Sequence, residues 1–401
     1  MAWIERPRYL DWLSAWRGKD VAKVLTGVRR CGKSTILRLF RQRLVANGIP
    51  PASVLDFNLE DPDTEAEFSQ GLRLYQHVKA LAAEGGQLYV FLDEAQHLAE
   101  LERTVVGLGL LENVDLYLTG SYSAFLSAEL GTRLTGRYVE LRVLPLSFSE
   151  YATAHIGNTG PSDTWPRYLR DGGFPYVVRL SQEPAMAGQY LRDVMSAIVA
   201  RDIAPRHPAF NATLFDSILL FMLDNIGNLS TINKISSTLT SLGRKTGRTA
   251  VETYVEALVD SFVLYKAPRY DIRGKLYLAN SAKYYAVDLG LRRALRGSRN
   301  PDLGHSLENL VYLELLRLGD RVAVGRIDRS EVDFLANGAG GLTYIQVCQS
   351  VLDPAVLARE LAPLRAIPDH HPRLLIVGDQ LPPSSHDGIT QMNVQDWLAR
   401  P

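Results

Sequence analysis

GVRRCGKST, Gly27 to Thr35, follows one apolar run, VAKVLTG (21–27), and precedes another, ILRLF (36–40). The nine residues satisfy G-x-x-x-x-G-K-[ST], the pattern of a loop whose backbone N–H groups wrap the phosphates of a nucleoside triphosphate. Gly27 and Gly32 permit the tight turn, and the helix that follows adds its positive N-terminal end. Lys33 is expected to neutralise β- and γ-phosphate charge, and Ser34 to give a hydroxyl to Mg2+. The nucleotide-binding residues expected from the pattern are Gly27, Val28, Arg29, Arg30, Cys31, Gly32, Lys33, Ser34 and Thr35. The Cys31 thiol is expected beside the phosphates, where alkylation would impair ATP binding.

Outward from this loop, short apolar runs alternate with amphipathic segments as far as Tyr151, the pattern of a parallel sheet wrapped by helices. The strands expected are VAKVLTG, SVLDFNL (53–59), LYVFLD (88–93), VDLYLTG (114–120) and YVELRVL (138–144). In such a sheet the ligand crevice lies at the carboxyl edge. Two acids stand there: Asp93, placed to hold Mg2+, and Glu94, placed to polarise an attacking water. A water-activating acid favours ATP hydrolysis over phosphoryl transfer to a metabolite. LYLTGSYS (116–123) brings Thr119 and Ser121, which could sense the γ-phosphate or position the water, although turn chemistry also explains a Gly-Ser pair. Arg133 and Arg137, in GTRLTGRYVEL, are candidates for an arginine finger and equally read as surface arginines bordering a strand.

Composition sets the wider frame. The 401 residues are too many for one ordinary core, and 46 % of them are apolar. The 44 basic residues offset the 44 acidic ones, so a nucleic-acid or membrane partner would have to be met by a local patch. Two cysteines without metal-ligand or disulfide spacing, no apolar run of membrane-spanning length and no secretory leader in MAWIERPRYL suit a cytoplasmic protein.

Segments 162–203 read as helical. The order SILLFMLDNIG (217–227), LSTINKISSTLTSLG (229–243), TAVETYVEALVDSFVLYKA (249–267) and the hairpin RYDIRGKLYLA (269–279) reads as a winged helix. Thr249 and Glu252 form a capping-box pattern, and Val251, Tyr254, Val255, Leu258 and Val259 one apolar stripe. The opposite face carries Glu252, Glu256 and Asp260, which duplex phosphates would repel, so groove reading by this helix is not expected. Arg244, Lys245, Arg248, Arg269, Arg273 and Lys275 could grip phosphates without reading bases. From about residue 303 a helix, LENLVYLELLRLG, leads into the strands RVAVGRI, EVDFLAN, TYIQVCQ and RLLIVGD, and DQLPPSSHDG (379–388) reads as an exposed loop.

KVLTGVRRCGKST, FLDEAQ, LYLTGSYSAFLS, TRLTGRYVELRVLPLSFSEY, DGGFPYVV, RDI, NIGNLSTINKIS and RYDIRGKLYLANSAKYYAVDLGLR together resemble a family of prokaryotic AAA-like ATPases. The resemblance implies an α/β P-loop ATPase domain of the additional-strand, catalytic-glutamate type at 1–155, a helical connection at 156–212, a winged helix at 213–300 and a C-terminal domain at 301–401. That last domain resembles restriction-endonuclease-like nucleases, in which a helical Glu, a strand Asp and an E-x-K gather metal and a lysine. Glu308 and Asp333 match the first two; Gln346 and Cys348 stand where the E-x-K residues belong, so nuclease activity is not expected. The expectation is an ATPase using ATP and Mg2+ to switch the packing of its domains or its contacts with a protein partner. Alternatives are a nucleic-acid-associated ATP-binding regulator without turnover and, further off, an ATP-dependent nuclease. Self-association is expected if Arg133 or Arg137 completes a neighbour's site, and a monomer is equally compatible.

Overall fold

The computed structural model describes residues 3–123, 136–155, 161–180, 183–244, 246–297 and 302–400. They fall into two compact units, 1–143 with 260–262, and 144–259 with 263–401.

The first unit is built on β1 (Ala22–Thr26), β2 (Val54–Asn58), β3 (Leu88–Asp93), β4 (Val114–Gly120) and β5 (Tyr138–Arg142), each within the run expected for it. They lie in the order β2-β3-β4-β1-β5, every pair parallel. With all strands running one way, their carboxyl ends share one edge, and the ends of β1, β4 and β3 stand side by side. On one face Val24, Val90 and Leu118 pack with Leu74, Val78 and Val105 of two helices, Gly71–Ala83 and Leu101–Gly109. On the other, Phe91 stacks on Tyr117 at 4.7 Å with Phe40 of the helix Lys33–Ala46 against both. Lys23, in the middle of apolar β1, has no exposure at all and pairs with Asp115 of β4 at 2.5 Å. Asp115 also accepts from the Tyr117 hydroxyl and the Gly18 N–H, both at 2.9 Å. A charge in this interior is tolerable only when paired and hydrogen-bonded in this way.

In the second unit the helix Phe148–Ala154, grouped by sequence with the ATPase domain, packs Phe148 on Trp165 and Tyr151 on Tyr168. Its start is a complete capping box between Ser147 and Glu150. The helices Ala212–Asp224, Ile232–Ser241 and Arg248–Asp260 then lead into a hairpin of β6 (Leu264–Asp271) and β7 (Leu276–Ala286), the expected order. One expectation is corrected. The third helix begins at Arg248, so Thr249 lies inside it and is not its cap. The hairpin continues into a larger sheet, because β6 also pairs in parallel with β8 (Arg321–Ile327) and so joins the C-terminal strands. That sheet runs β12-β13-β11-β10-β9-β8-β6-β7, with β9 (Ser330–Gly338), β10 (Gly341–Cys348), β11 (Arg373–Val377), β12 (Ser384–His386) and β13 (Ile389–Asn393).

Val332, Leu375 and Val377 pack with Leu361 and Leu364 of the helix Pro354–Arg365. The helix Leu303–Arg317 is buried from Ser306 to Leu315, with Tyr312 stacked on Tyr285 at 4.2 Å. The segment read as the loop DQLPPSSHDG contains β12, which Asp387 (φ 52°) and Gly388 (φ 84°) turn back onto β13. An Asp-Gly pair favours this tight hairpin because both residues accept positive φ. The acidic residues Glu252 and Glu256 help to raise the Tyr284 hydroxyl pKa, after burial, which places their charge beside β7. Among the described residues no helix is long and apolar enough to cross a membrane.

Candidate nucleotide site

The loop 27–32 leaves β1 and enters the helix Lys33–Ala46 through Gly32 in a left-handed conformation (φ 107°). Gly27 (φ 147°) admits no other residue: a Cβ there would meet the Val143 carbonyl oxygen at 2.1 Å. Lys33, 3 % exposed, folds its ammonium back onto the carbonyls of Gly27 (2.9 Å) and Val28 (3.2 Å). Ser34 and Thr35 occupy the first helical turn, whose N–H groups have no helical acceptor and suit an anion. Arg6, also buried, donates to the Cys31 carbonyl at 3.2 Å and props the loop from behind. The Cys31 thiol is fully buried and its pKa is pushed up by that burial. The expectation that alkylation would reach this thiol is therefore corrected: it is closed off from solvent, although it stays beside Lys33, whose backbone bonds to it.

Asp93 ends β3. Its Oδ1 accepts from the Ser34 hydroxyl at 3.1 Å and the Thr119 hydroxyl at 2.5 Å. Burial raises the Asp93 pKa, and those two hydrogen bonds pull it part of the way back. A buried carboxylate meeting a serine hydroxyl is a hard-oxygen pair short of positive charge, and it fits Mg2+. Ser34 and Asp93 would hold the ion, which supplies countercharge to triphosphate oxygens when bound.

Glu94, 7 % exposed, follows in a left-handed conformation (φ 52°) that few non-glycine residues adopt. It is held there by its N–H bond to the Thr119 hydroxyl, 2.8 Å. Thr119 thus ties Asp93 and Glu94 together from the neighbouring strand. The Glu94 carboxylate accepts from Gln96 Nε2 at 2.5 Å and lies 3.9 Å from Arg29, and the same Gln96 nitrogen reaches the Ser121 hydroxyl at 3.2 Å. Arg29 pairs with Glu60, just past β2, at 2.7 Å.

The edge therefore gathers Arg29, Lys33, Ser34, Asp93, Glu94, Thr119 and Ser121 as expected, and adds Arg6, Glu60 and Gln96. A sequence signal existed for Glu60, an acid just beyond an expected strand; none marked Arg6 or Gln96. Arg30, with φ 69°, is exposed. Arg133 lies outside the described residues. Arg137 is exposed and precedes β5, with its carbonyl accepting from Ala22 at the start of β1. That is the amino edge of the sheet, the full length of β1 away from the loop, where Arg137 is a surface arginine bordering a strand.

A second polar cluster lies in the second unit. Lys283 of β7 places its ammonium 2.8 Å from Glu308, 2.7 Å from Glu331 and 3.5 Å from Asp333. Burial opposes its charge, but Asp333, Glu308 and Glu331 together hold the ammonium well above the ordinary lysine range. Three carboxylates share one cation, and burial followed by the Glu308 charge pushes Asp333 up to about 7. Gln346 takes the Asp333 N–H at 3.3 Å and donates to Glu360 at 3.0 Å, and the Cys348 thiol donates to the Ser350 carbonyl. An ammonium thus stands among the carboxylates that a divalent cation would need. The signal for it was a lysine within the buried run SAKYYAVD, which the sequence analysis did not single out.

A family model described as an AAA domain matches residues 19–152, and one described as a domain of unknown function matches residues 162–302. The chain is similar to an uncharacterized protein of Haemophilus influenzae, 36 % identical over 404 residues and 99 % of each chain. It is also similar to one of Methanocaldococcus jannaschii, 26 % identical over 81 % of this chain and 74 % of that one. Among solved structures, a Walker-type ATPase of Pyrococcus abyssi shares the fold with a TM-score of 0.52 and 18 % identity, over 73 % of this chain and 96 % of that one. The chain belongs to one family with the Haemophilus influenzae protein, and its N-terminal part is an ATP-binding AAA domain with the P-loop at its centre.

Proposed function

We propose that the chain hydrolyses ATP with Mg2+ and uses the cycle to change the packing of its domains or its hold on a protein partner. The observation that carries this reading is Glu94, a buried carboxylate one residue beyond the metal ligand and locked to it through Thr119. A protein that only stored ATP would have no need of a second acid at that point. In this reading Lys33 leaves the loop carbonyls for the β- and γ-phosphates, Ser34 and Asp93 hold Mg2+, and Glu94 takes the proton of the attacking water. Gln96 and Ser121 orient that water or the carboxylate, and Arg133 or Arg137 serves a neighbouring copy. The segment 213–300 is proposed as a winged helix that packs on its neighbours or a protein partner, with nucleic acid as the alternative.

The test is phosphate release by wild type, Lys33→Ala and Glu94→Gln. Lys33→Ala should lose ATP binding, while Glu94→Gln should still bind ATP and lose about a hundredfold or more in turnover. Equal release by wild type and Glu94→Gln would remove the assignment and leave the reading of an ATP-binding regulator without turnover.

A further inference from the structure

Arg292 is the least expected buried charge in the second unit. It is 5 % exposed, and its hydrogen bonds go to neutral acceptors: Nε to the Leu223 carbonyl at 2.8 Å and Nη1 to the Ser306 hydroxyl at 3.2 Å. No carboxylate pairs with it among the described residues. Burial and the neighbouring Arg296 push its pKa down to about 10 against the pull of Asp302 and Asp224, so it stays charged at neutral pH with no carboxylate in direct contact. Arginine cannot shed its proton to escape such a position, so the lack of a contacting carboxylate is a standing cost.

Arg292 lines a recess of about 290 Å³ together with Arg170, Arg293, Arg296, Leu169 and Leu289. Arg170 is satisfied by Asp171 and Arg296 by Asp224. The Arg293 side chain is exposed and has no ion pair or hydrogen bond among the described residues. Asp302, the other acid that acts on Arg292, is hydrogen-bonded to His305 at 2.5 Å. The four arginines therefore outnumber Asp171, Asp224 and Asp302 by one charge, in a hollow whose wall also includes Pro166, Leu169, Leu289 and Leu303. Guanidinium groups present planar N–H forks that match phosphoryl oxygens. The volume lies at the small end of the range of small-molecule sites, and a hollow of that size suits a compact ligand better than a duplex backbone.

We propose that this recess binds a phosphorylated small molecule, its phosphoryl oxygens on Arg292 and Arg293 and its apolar body on Leu169 and Leu289. The site is separate from the P-loop and falls largely in the stretch matched by the domain of unknown function. It does not depend on whether the chain hydrolyses ATP. The experiment is calorimetric titration of the full chain carrying Lys33→Ala, which silences the P-loop, with AMP and with inorganic phosphate. One equivalent of AMP should bind, phosphate should compete, and adding the surface substitution Arg293→Gln should weaken binding about tenfold or more. Absence of AMP binding in Lys33→Ala, or binding indifferent to both Arg293→Gln and Arg292→Lys, overturns the proposal. So does Arg293-dependent binding of a duplex oligonucleotide in place of AMP.

Discussion

Replacing Thr119 by valine keeps the shape of the side chain and removes only the hydroxyl that joins Asp93 to Glu94. The side chain has no exposure, so water cannot step in. Two losses follow. The Asp93 carboxylate gives up its 2.5 Å bond, and a hydrogen bond to a charged group is worth about 1.5–3 kcal/mol. The Glu94 N–H, 2.8 Å from the same oxygen, is left buried without an acceptor, a penalty of about 1–3 kcal/mol. A methyl in place of the hydroxyl returns about 1 kcal/mol at most, so the net loss expected is roughly 3 kcal/mol.

Asp93, already raised by burial, should rise further, and Glu94 should lose the restraint on its left-handed backbone. Turnover and stability should therefore fall together. Urea unfolding of wild type, Thr119→Val and Thr119→Ser measures the first quantity, and phosphate release the second. Serine keeps the hydroxyl and deletes one methyl, so its loss should stay near 1 kcal/mol with most activity retained. If serine proves as damaging as valine, or valine leaves both quantities unchanged, the hydroxyl is not the link and the argument fails.

Two other expectations concern the second unit. Lys283→Met leaves Glu308, Glu331 and Asp333 without their cation and should destabilise this unit by about 3–5 kcal/mol; wild type, for its part, should leave plasmid DNA uncut with Mg2+ or Mn2+. Metal-dependent cutting abolished by Asp333→Ala would contradict that reading of the ammonium. Asp288 is buried and accepts N–H groups of Gly173 and Leu291, yet burial raises its carboxyl from 3.8 to about 6. Between those values the folded chain holds a proton that the unfolded chain has released, so this group's contribution to stability falls as pH rises through the window. The change amounts to roughly 3 kcal/mol. Unfolding free energies between pH 4 and 6 should slope downward more in wild type than in Asp288→Asn, and identical slopes would refute the assignment.

The first unit was legible because its signals are local. A buried parallel strand needs an unbroken apolar run and a P-loop needs glycines at set positions, so β1 to β5 and the loop appear where expected. Asp93 and Glu94 were found for the same reason, as they sit at the tip of a strand. Errors arose where a local pattern competed with a neighbour. Thr249 resembles a helix cap, but the helix starts one residue earlier; Cys31 belongs to the loop, but its thiol is closed off from solvent. That the hairpin after Arg248–Asp260 continues into a larger sheet was not legible, because nothing in its own residues announces the pairing of Arg269–Asp271 with Val324–Arg326.

By itself the sequence determined the strands, the phosphate-binding loop and the two acids at the tip of β3, because each depends on backbone conformation and periodicity within a few residues. Only the tertiary structure decided what those residues meet. The order β3-β4-β1 brings Thr119 between Asp93 and the loop, β7 carries Lys283 to acids 25 and 50 residues further along the chain, and Arg292 is buried with no contacting carboxylate among the described residues. Such contacts follow from how the sheets are assembled, and a charge in a buried position takes its meaning from whichever groups that assembly sets within a few ångströms of it.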